Sequence, residues 1–291
     1  MKVVVTGTGG RLGAAVARQL RERHRVVAYD RRAMDLRCPQ QMDDHLGALE
    51  FEVLINCAAV TQVDYAEQHP VEAHEANALA PAHMAAICAR RGARMIHVST
   101  DYVYDGAAPG LRRETDAVNP LSVYGRTKRE GEERVLEADD RFIVARTSWV
   151  FGPDRPSFVD QIIARAQKEA DCGAIADKFS SASYSLDMAE QLDFLLSVRE
   201  GGVYNLCNEG SCTWHTLGQA ALDTVAALGW KLHTRTLAEQ RLADMTALLA
   251  PRPVHTSLDV TRLAAATSLR PRPWREALAD YLRTYYASPV R

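Results

Sequence analysis

The sequence predicts an α/β protein built on a doubly wound parallel sheet, with a smaller lobe near the C-terminus. Three observations support this prediction. Short apolar runs alternate with helix-like segments through the first half of the chain, a glycine-rich turn follows the first apolar run, and the alternation loosens after about residue 147. Apolar runs that are buried on both faces are typical of parallel sheets covered by helices.

The first half contains five predicted strands and three predicted helices. Continuous apolar runs favour buried strands, and apolar residues spaced three or four apart favour helices. The predicted strands are 2–6, 25–29, 52–56, 94–99 and 141–146, and the predicted helices are 11–23, 71–91 and 122–138. Residues 1–150 are therefore expected to form one domain around a parallel sheet.

The second half is expected to form mainly the smaller, substrate-binding lobe. Its predicted helices are 157–168, 186–198, 213–228 and 274–285, and its predicted strands are 173–176 and 203–206. We assign residues 151–291 to this lobe and expect some of its segments to return to the first domain.

The turn after the first strand has glycines at positions 7, 10 and 13. Glycine allows a sharp turn, a close approach of the backbone to a pyrophosphate, and tight packing of the next helix against the sheet. The free N–H groups at the start of that helix favour phosphate binding. A Rossmann-like, NAD(P)-binding domain is therefore predicted. Its loop contacts with the cofactor are expected from Gly7, Thr8, Gly9, Gly10, Arg11, Leu12 and Gly13.

Residues at the end of the second strand give opposing indications of whether NADH or NADPH binds. Asp30 lies about 20 residues beyond the loop, where a carboxylate binds the ribose 2′-hydroxyl of NADH. Arg31 and Arg32 follow, and a guanidinium there favours the 2′-phosphate of NADPH. The choice between NADPH and NADH is left open. Further cofactor contacts are expected from Asp35, Leu36, Cys57, Ala58 and Ala59.

Tyr124 and Lys128 lie four residues apart near the start of a predicted helix, so their side chains share one face. We expect the ammonium to lower the pKa of the tyrosine. Such a tyrosine exchanges a proton with a carbonyl or alcohol oxygen while hydride passes to or from nicotinamide. Thr100 follows the fourth strand at the ligand-binding edge of the sheet, and its hydroxyl is expected to hold the carbonyl oxygen. Tyr124 and Lys128 are also expected to contact the cofactor.

Charge and composition argue against several other classes of protein. The formal net charge is −2 and no basic tract is present, which disfavours nucleic acid or a membrane surface as a partner. No apolar stretch is long enough for a membrane span, and no signal peptide is recognised. The six cysteines show neither C-x-x-C pairs nor zinc spacing. We therefore expect reduced thiols, no bound metal and a cytoplasmic protein.

Four further segments resemble one family. They are 56–67 (NCAAVTQVDYAE), 99–106 (STDYVYDG), 120–128 (PLSVYGRTK) and 146–152 (RTSWVFG). They make the chain similar to the extended short-chain dehydrogenase/reductases and, more narrowly, to the dTDP-4-dehydrorhamnose reductase family. The resemblance implies NAD(P)H-dependent reduction of the 4-keto group of a nucleotide-linked 6-deoxy sugar, namely dTDP-4-dehydro-L-rhamnose to dTDP-L-rhamnose.

The resemblance also implies roles for particular residues. Thr100, Tyr124 and Lys128 would form the catalytic triad. The residues expected at the substrate are Thr61, Val63, Thr100, Tyr102, Trp149 and Arg252. The stretch 177–183 lacks the family's glycine and proline, which leaves the exact sugar open. Ala15 stands where some members have a glutamate for a magnesium-linked dimer, so no metal site is expected there.

Three functional hypotheses follow. The first is reduction of dTDP-4-dehydro-L-rhamnose, and the second is reduction of another activated keto sugar. The third is a non-catalytic, cofactor-binding regulatory subunit, because that of methionine adenosyltransferase resembles the same family; the complete Thr/Tyr/Lys set argues against it. The expected partner is a small sugar nucleotide. The oligomeric state, a homodimer among the options, is not determined by the sequence.

Overall fold

The computed structural model describes residues 1–287, and a six-stranded parallel sheet forms its centre. The strands in chain order are β1 (Lys2–Thr6), β2 (Arg25–Tyr29), β3 (Val53–Asn56), β4 (Arg94–Thr100), β5 (Ile143–Thr147), β6 (Val150–Phe151), β7 (Gly173–Ile175), β8 (Phe179–Ser180), β9 (Ser183–Tyr184), β10 (Gly202–Asn205), β11 (Cys212–Thr213) and β12 (Ala238–Gln240). The helices in chain order are α1 (Arg11–Leu20), α2 (Pro39–Gly47), α3 (Val63–Gln68), α4 (Pro70–His74), α5 (Ala80–Arg91), α6 (Val123–Ala138), α7 (Phe158–Ala166), α8 (Ser185–Leu195), α9 (Trp214–Ala227), α10 (Thr261–Thr267) and α11 (Trp274–Tyr285). A π-helical turn lies at Glu75–Leu79, and 3₁₀ turns lie at Asp101–Val103 and Leu242–Asp244.

The central sheet has the strand order β10-β5-β4-β3-β1-β2, and all its neighbouring strands are parallel. The chain runs outward from β1 to β2 and then crosses to β3 on the other side of β1. The winding direction therefore reverses between β1 and β3. Open α/β sheets bind ligands beyond the carboxyl ends of their strands at such a reversal. The predicted doubly wound, Rossmann-like sheet is confirmed.

The two faces of the sheet carry separate hydrophobic cores because successive strand residues point to opposite sides. Val3 and Val5 of β1 belong to a core that includes α1 and α8. Val4, between them, belongs to the opposite core, with residues of α2, α5 and α6. All three valines are fully buried. This explains why the strand is an unbroken apolar run rather than an alternating one.

A further core lies among α7, α9 and α11 in the second half of the chain. Phe151, Ile162, Leu222 and Leu278 are buried in it. β10 lies apart from this core, because it pairs with β5 along the central sheet. Residues after 150 thus supply both a separate helical layer and one edge strand of the main sheet. The division of the chain into two domains at residue 150 stays a prediction.

The predicted helix 71–91 is interrupted. α4 ends at His74, the π-helical turn follows, and α5 begins at Ala80. Pro81 favours the interruption, because its ring nitrogen has no hydrogen to donate to a carbonyl of the preceding turn. In the π-helical turn, the buried Asn77 side chain accepts the N–H of Val60 at 2.8 Å and donates to the Thr127 hydroxyl at 3.2 Å.

Helix α2 and several two-residue strands are absent from the sequence prediction. α2 buries only Met42 and Leu46, so its sequence lacks a broad apolar stripe. The short strands form three two-stranded ladders, and distant partners determine them. No helix within residues 1–287 is both long and apolar enough to cross a bilayer.

Candidate active site

A cleft of about 1030 Å³ opens beyond the carboxyl ends of β1, β3 and β4. Most of the residues predicted to bind cofactor or substrate line this one cleft. They are Gly7, Gly9, Gly10, Arg11, Leu12, Gly13, Asp30, Arg31, Asp35, Leu36, Cys57, Ala58, Ala59, Thr61, Val63, Thr100, Tyr102, Tyr124, Lys128 and Trp149. Three predicted residues, Thr8, Arg32 and Arg252, do not line it.

Close contacts at Gly7 and Gly13 leave no room for a side chain at either position. Gly7 has φ = +73°, and a Cβ there would lie 2.6 Å from the Ala58 backbone nitrogen. A Cβ on Gly13 would lie 2.3 Å from the Gly7 carbonyl oxygen. The Gly10 N–H donates to that same oxygen at 2.9 Å and closes the turn. The loop can therefore bring the N-terminus of α1 close to a bound phosphate.

Arg11, predicted as a cofactor contact, joins the loop to the segment after β5. Its guanidinium donates to the carbonyl oxygens of Val150 at 2.9 Å, Arg155 at 3.1 Å and Pro156 at 2.6 Å. The three bonds occupy much of its donor capacity. Arg11 lines the cleft, but its main contacts hold the second half of the chain against the loop. Arg155 and Pro156 also line the cleft and are absent from the sequence prediction.

Asp30 and Arg31 line the cleft at the end of β2. One carboxylate oxygen of Asp30 accepts the backbone N–H groups of Arg32 and Ala33, each at 2.9 Å, which fixes the side chain across the turn. Arg32 is exposed and lies outside the cleft lining. Arg31 is therefore the better placed of the two arginines for a 2′-phosphate.

The Asp35 carboxylate forms an ion pair with Arg37. Its carboxylate accepts hydrogen bonds from Arg37 at 3.1 and 3.3 Å, and this pairing lowers the pKa of Asp35. Leu36 is buried beside it and still borders the cleft. Arg37 lines the cleft as well and was not predicted.

The Tyr/Lys helix is placed against the sheet edge by its N-terminal contacts. Ser122 caps α6 by accepting the N–H of Gly125 at 3.1 Å. A Cβ on Gly125 would lie 2.4 Å from the Tyr102 carbonyl oxygen, so α6 packs closely on the turn after β4. Tyr124 consequently lies beside Thr100, whose hydroxyl donates to the Asp101 carboxylate at 3.2 Å and accepts the N–H of Tyr102 at 3.2 Å. Both side chains are almost fully buried and border the cleft.

The pKa of Tyr124 differs from the expectation. Burial raises this pKa to about 12, although the neighbouring Thr100 hydroxyl opposes this rise. Burial lowers the pKa of Lys128 to about 8. The Lys128 Nζ donates to the Val98 carbonyl oxygen at 2.7 Å and lies 3.0 Å from Nε2 of His97. The expected lowering of the Tyr124 pKa is therefore wrong.

Of the expected substrate residues, all but Arg252 line the cleft, namely Thr61, Val63, Thr100, Tyr102 and Trp149. The rings of Tyr102 and Tyr124 meet edge to face, with centroids 5.6 Å apart. Trp149 has a left-handed backbone, φ = 35°, and its ring packs on that of Trp214 at 5.5 Å. Trp214 lines the cleft and was not predicted. The left-handed conformation of a bulky residue indicates that its surroundings hold Trp149 in place.

Arg252 forms an ion pair with Asp64. Its two terminal nitrogens each lie 2.7 Å from an Asp64 carboxylate oxygen, and the pair is largely shielded from solvent on the arginine side. Asp64 also accepts the N–H of Ala250 at 2.9 Å. The ion pair ties the segment around residue 250 to α3. It holds Arg252 outside the cleft lining.

Two buried charged side chains were not predicted: Asp101 lines the cleft, and Lys178 lies behind Tyr102 and Trp149. The Asp101 carboxylate accepts hydrogen bonds from the hydroxyls of Ser148, Ser180 and Thr256. The Lys178 Nζ donates to Ser180 at 3.1 Å and lies 5.2 Å from the ring centres of both Tyr102 and Trp149. Lys178 belongs to the stretch 177–183 that departs from the family pattern, and this was the only signal for it. No group of three metal-binding side chains occurs within the described residues.

Comparison with known proteins points to one family. The family model described as RmlD substrate binding domain matches residues 1–287. A dTDP-4-dehydrorhamnose reductase from Aggregatibacter actinomycetemcomitans is 32% identical over 292 residues, which covers 98% of this chain and 99% of that protein. A spore coat polysaccharide biosynthesis protein from Bacillus subtilis is 31% identical over 283 residues, which covers 97% of each.

Solved structures show the same architecture. The crystal structure of a dTDP-4-dehydrorhamnose reductase from Clostridium acetobutylicum matches with a TM-score of 0.92 at 26% sequence identity. The match covers 98% of this chain and all of that one. The similarity therefore extends over both halves of the chain.

Proposed function

Because the chain belongs to the RmlD substrate binding domain family, we propose that it reduces dTDP-4-dehydro-L-rhamnose to dTDP-L-rhamnose. Its sequence motifs resemble the dTDP-4-dehydrorhamnose reductases. The chain is a nicotinamide-dependent reductase acting on a keto group of a sugar nucleotide. One observation carries the proposal: the glycine loop and the set Thr100, Tyr124 and Lys128 meet in a single cleft.

The residues of the cleft fit a nicotinamide dinucleotide. Gly7 and Gly13 form a cradle that any side chain would fill, next to the N-terminus of α1. Asp30 and Arg31 lie at the end of β2, where a ribose hydroxyl or a 2′-phosphate would bind. When bound, the cofactor supplies the hydride. We assign both NADPH and NADH as candidate cofactors.

Tyr124 is the proposed proton donor. Its raised pKa keeps the phenol protonated at neutral pH. Reduction of a ketone leaves an alkoxide oxygen that needs one proton, and a phenol hydrogen-bonded to that oxygen supplies it. The Thr100 hydroxyl lies beside the phenol and is proposed to hold the same oxygen. Lys128, one helical turn further on, is proposed to contact the cofactor.

The sugar is proposed to lie against Thr61, Val63, Tyr102 and Trp149. This end of the cleft combines one hydroxyl with apolar and aromatic surface, which suits the methyl group and hydroxyls of a 6-deoxy sugar. Arg252 is proposed to act on the substrate only through the segment that its Asp64 pair holds in place.

A second candidate is reduction of another activated keto sugar. Lys178 favours it, because this buried cation lies directly behind Tyr102 and Trp149 in the stretch that departs from the family pattern. We further propose that the protein works in the cytoplasm, where sugar nucleotides are made, without nucleic acid or membrane as partner. A homodimer remains a hypothesis, which sedimentation measurements of the purified protein would test.

Turnover by purified protein tests the proposal. NADPH or NADH is mixed with the dTDP-4-dehydro-6-deoxy sugar, loss of nicotinamide absorbance is followed, and the sugar product is identified by chromatography. We expect turnover that falls roughly 10²- to 10⁴-fold in Tyr124→Phe, because the proton donor is removed. The exposed Tyr285→Phe serves as the matched control.

The outcomes separate the candidates. Absence of turnover with either cofactor contradicts the first proposal. Turnover of a different nucleotide-linked keto sugar, but not of this one, supports the second. Full activity in Tyr124→Phe contradicts the assigned proton donor whichever sugar is used.

A further inference from the structure

The segment 152–156, which follows β6, is fastened to helix α1. The Arg11 guanidinium donates to the backbone carbonyl oxygens of the last two residues of this segment, at 3.1 and 2.6 Å. The Asp154 carboxylate accepts two hydrogen bonds from Arg18, two turns further along α1, at 2.9 and 3.2 Å. Two residues of α1 therefore hold the segment beside the glycine loop.

The backbone of this segment is also constrained by its own sequence. Gly152 and Asp154 have positive φ angles, +136° and +77°. Glycine adopts such angles freely, and aspartate adopts them more readily than most other residues. Arg155 precedes Pro156, and a residue before proline is restricted to extended conformations. The point at which the Arg155 side chain leaves the backbone is therefore fixed.

The Arg155 side chain extends from that point over the glycine loop. One of its terminal nitrogens lies 3.9 Å from the position that a Cβ on Gly9 would take. Arg155 lines the cleft, although it belongs to the second half of the chain. Its guanidinium therefore lies over the turn that precedes the N-terminus of α1.

The charge of Arg155 is not paired with an acid in the part of the chain that the structure describes. None of the ion pairs there includes it. The neighbouring Asp154 pairs with Arg18 instead. Burial lowers the pKa of Arg11, and the nearby charge of Arg155 lowers it further. Two guanidinium groups and the N-terminus of α1 thus border one part of the cleft, which favours an anion there.

We propose that Arg155 is a further cofactor-binding residue, which bonds the pyrophosphate of the dinucleotide over the glycine loop. A guanidinium offers five N–H donors in a planar fork that matches the oxygens of a phosphate group. The pyrophosphate would then be bonded by backbone from the first half of the chain and by a side chain from the second. This inference rests on the cofactor assignment of the proposed function.

The position of Arg155 favours the pyrophosphate over the 2′-phosphate of NADPH. Asp30 and Arg31 lie at the end of β2, where the 2′-phosphate would bind, whereas Arg155 lies over Gly9 within the glycine turn. NADH and NADPH share the pyrophosphate. The proposed contact therefore contributes to the binding of both cofactors.

Cofactor binding by Arg155→Ala tests the proposal without any turnover. We expect the affinities for NADH and for NADPH, measured by fluorescence titration, to fall by the same factor of about 5 to 20, because a charge-assisted contact is lost. ADP-ribose carries the pyrophosphate but neither the nicotinamide nor the 2′-phosphate. In competition with NADH, its affinity should fall by a similar factor.

Two further variants and a salt series sharpen the test. Arg155→Lys keeps the charge but not the planar fork, so it should restore part of the lost affinity. Arg21→Ala removes an exposed arginine just beyond the other end of α1 and should leave cofactor affinity unchanged. Because Arg155 is exposed, salt at about 1 M should screen its contact and reduce the difference between Arg155→Ala and the unaltered protein.

Unchanged cofactor affinity in Arg155→Ala would overturn the inference. A loss confined to NADPH would overturn it too, because the contact would then be with the 2′-phosphate. An equal loss in Arg21→Ala would show a general effect of charge and no contact at Arg155. If the unaltered protein binds neither cofactor, the cofactor assignment fails and this inference fails with it, whereas normal binding by both proteins contradicts the role of Arg155 alone.

Discussion

The two halves of the cleft, to which we assign the nucleotide and the substrate, are built differently. The nucleotide half consists of backbone at the ends of neighbouring strands, where Gly7 and Gly13 touch main-chain atoms. The substrate half is held by side chains from distant segments, since the Asp101 carboxylate bonds Ser180 and Thr256, which lie 79 and 155 residues away in sequence. We therefore expect an added side chain to disrupt binding in the first half, and the loss of a polar partner to disrupt the second half.

The largest effect is expected in the nucleotide half, from Gly13→Ala. The new Cβ would lie 2.3 Å from the Gly7 carbonyl oxygen, so the loop must open away from α1. We expect binding of reduced nicotinamide, measured by fluorescence titration, to weaken by more than about 100-fold, which is about 2.7 kcal/mol. Gly47→Ala is the control, because nothing lies within 4 Å of its Cβ position. Unchanged binding in Gly13→Ala would show that the loop is not the phosphate cradle.

The next effect is expected in the substrate half, from Asp101→Asn. The exchange keeps the size of the side chain but removes the charge that accepts hydrogen bonds from four hydroxyls and faces Lys178. We expect the free energy of unfolding in urea to fall by about 2 kcal/mol and the KM for the sugar to rise, with cofactor affinity unchanged. The exposed Asp171→Asn is the matched control. A loss of cofactor affinity instead would contradict the separation of the two halves.

The same contrast explains what the sequence could predict. The glycine loop, Asp30, Thr100 and the Tyr/Lys pair follow from short motifs on consecutive elements, and the structure brings them to one cleft. Lys178 could not be assigned, because its neighbours Tyr102 and Trp149 lie far away in sequence. The central sheet was predictable from apolar runs for a similar reason, whereas the short strand ladders of the second half depend on distant partners.

The charge states in the centre were also beyond the sequence. Four-residue spacing places Lys128 near Tyr124, and it suggested a lowered tyrosine pKa. Burial decides the pKa values of both residues instead, and it cannot be derived from spacing alone. Local pattern therefore predicts which residues meet, but not which of them carry charge.

A smaller effect is expected from pH, through Lys178. Burial lowers its pKa from 10.5 in ordinary surroundings to about 8. Between these values the unfolded chain binds more protons than the folded one, so this residue makes stability rise with pH. Between about pH 8 and 9, the free energy of unfolding of the unaltered protein should rise by about 1 kcal/mol more than that of Lys178→Met. Lys168→Met should leave it unchanged, and an identical pH profile for Lys178→Met would contradict a buried, deprotonating amine.

The smallest effect is expected at the outer end of the nucleotide half, where a side chain rather than backbone makes the contact. Arg31 is exposed and borders the cleft beside Asp30, so a 2′-phosphate would meet it in water, where an ion pair contributes about 0.2–1 kcal/mol. Arg31→Ala should therefore weaken NADPH binding by only about two- to fivefold and leave NADH binding unchanged. Arg32→Ala, outside the cleft lining, is the control. An equal loss of affinity for NADPH and NADH would instead indicate that Arg31 contacts the pyrophosphate. Arg31 would then not discriminate between the two cofactors.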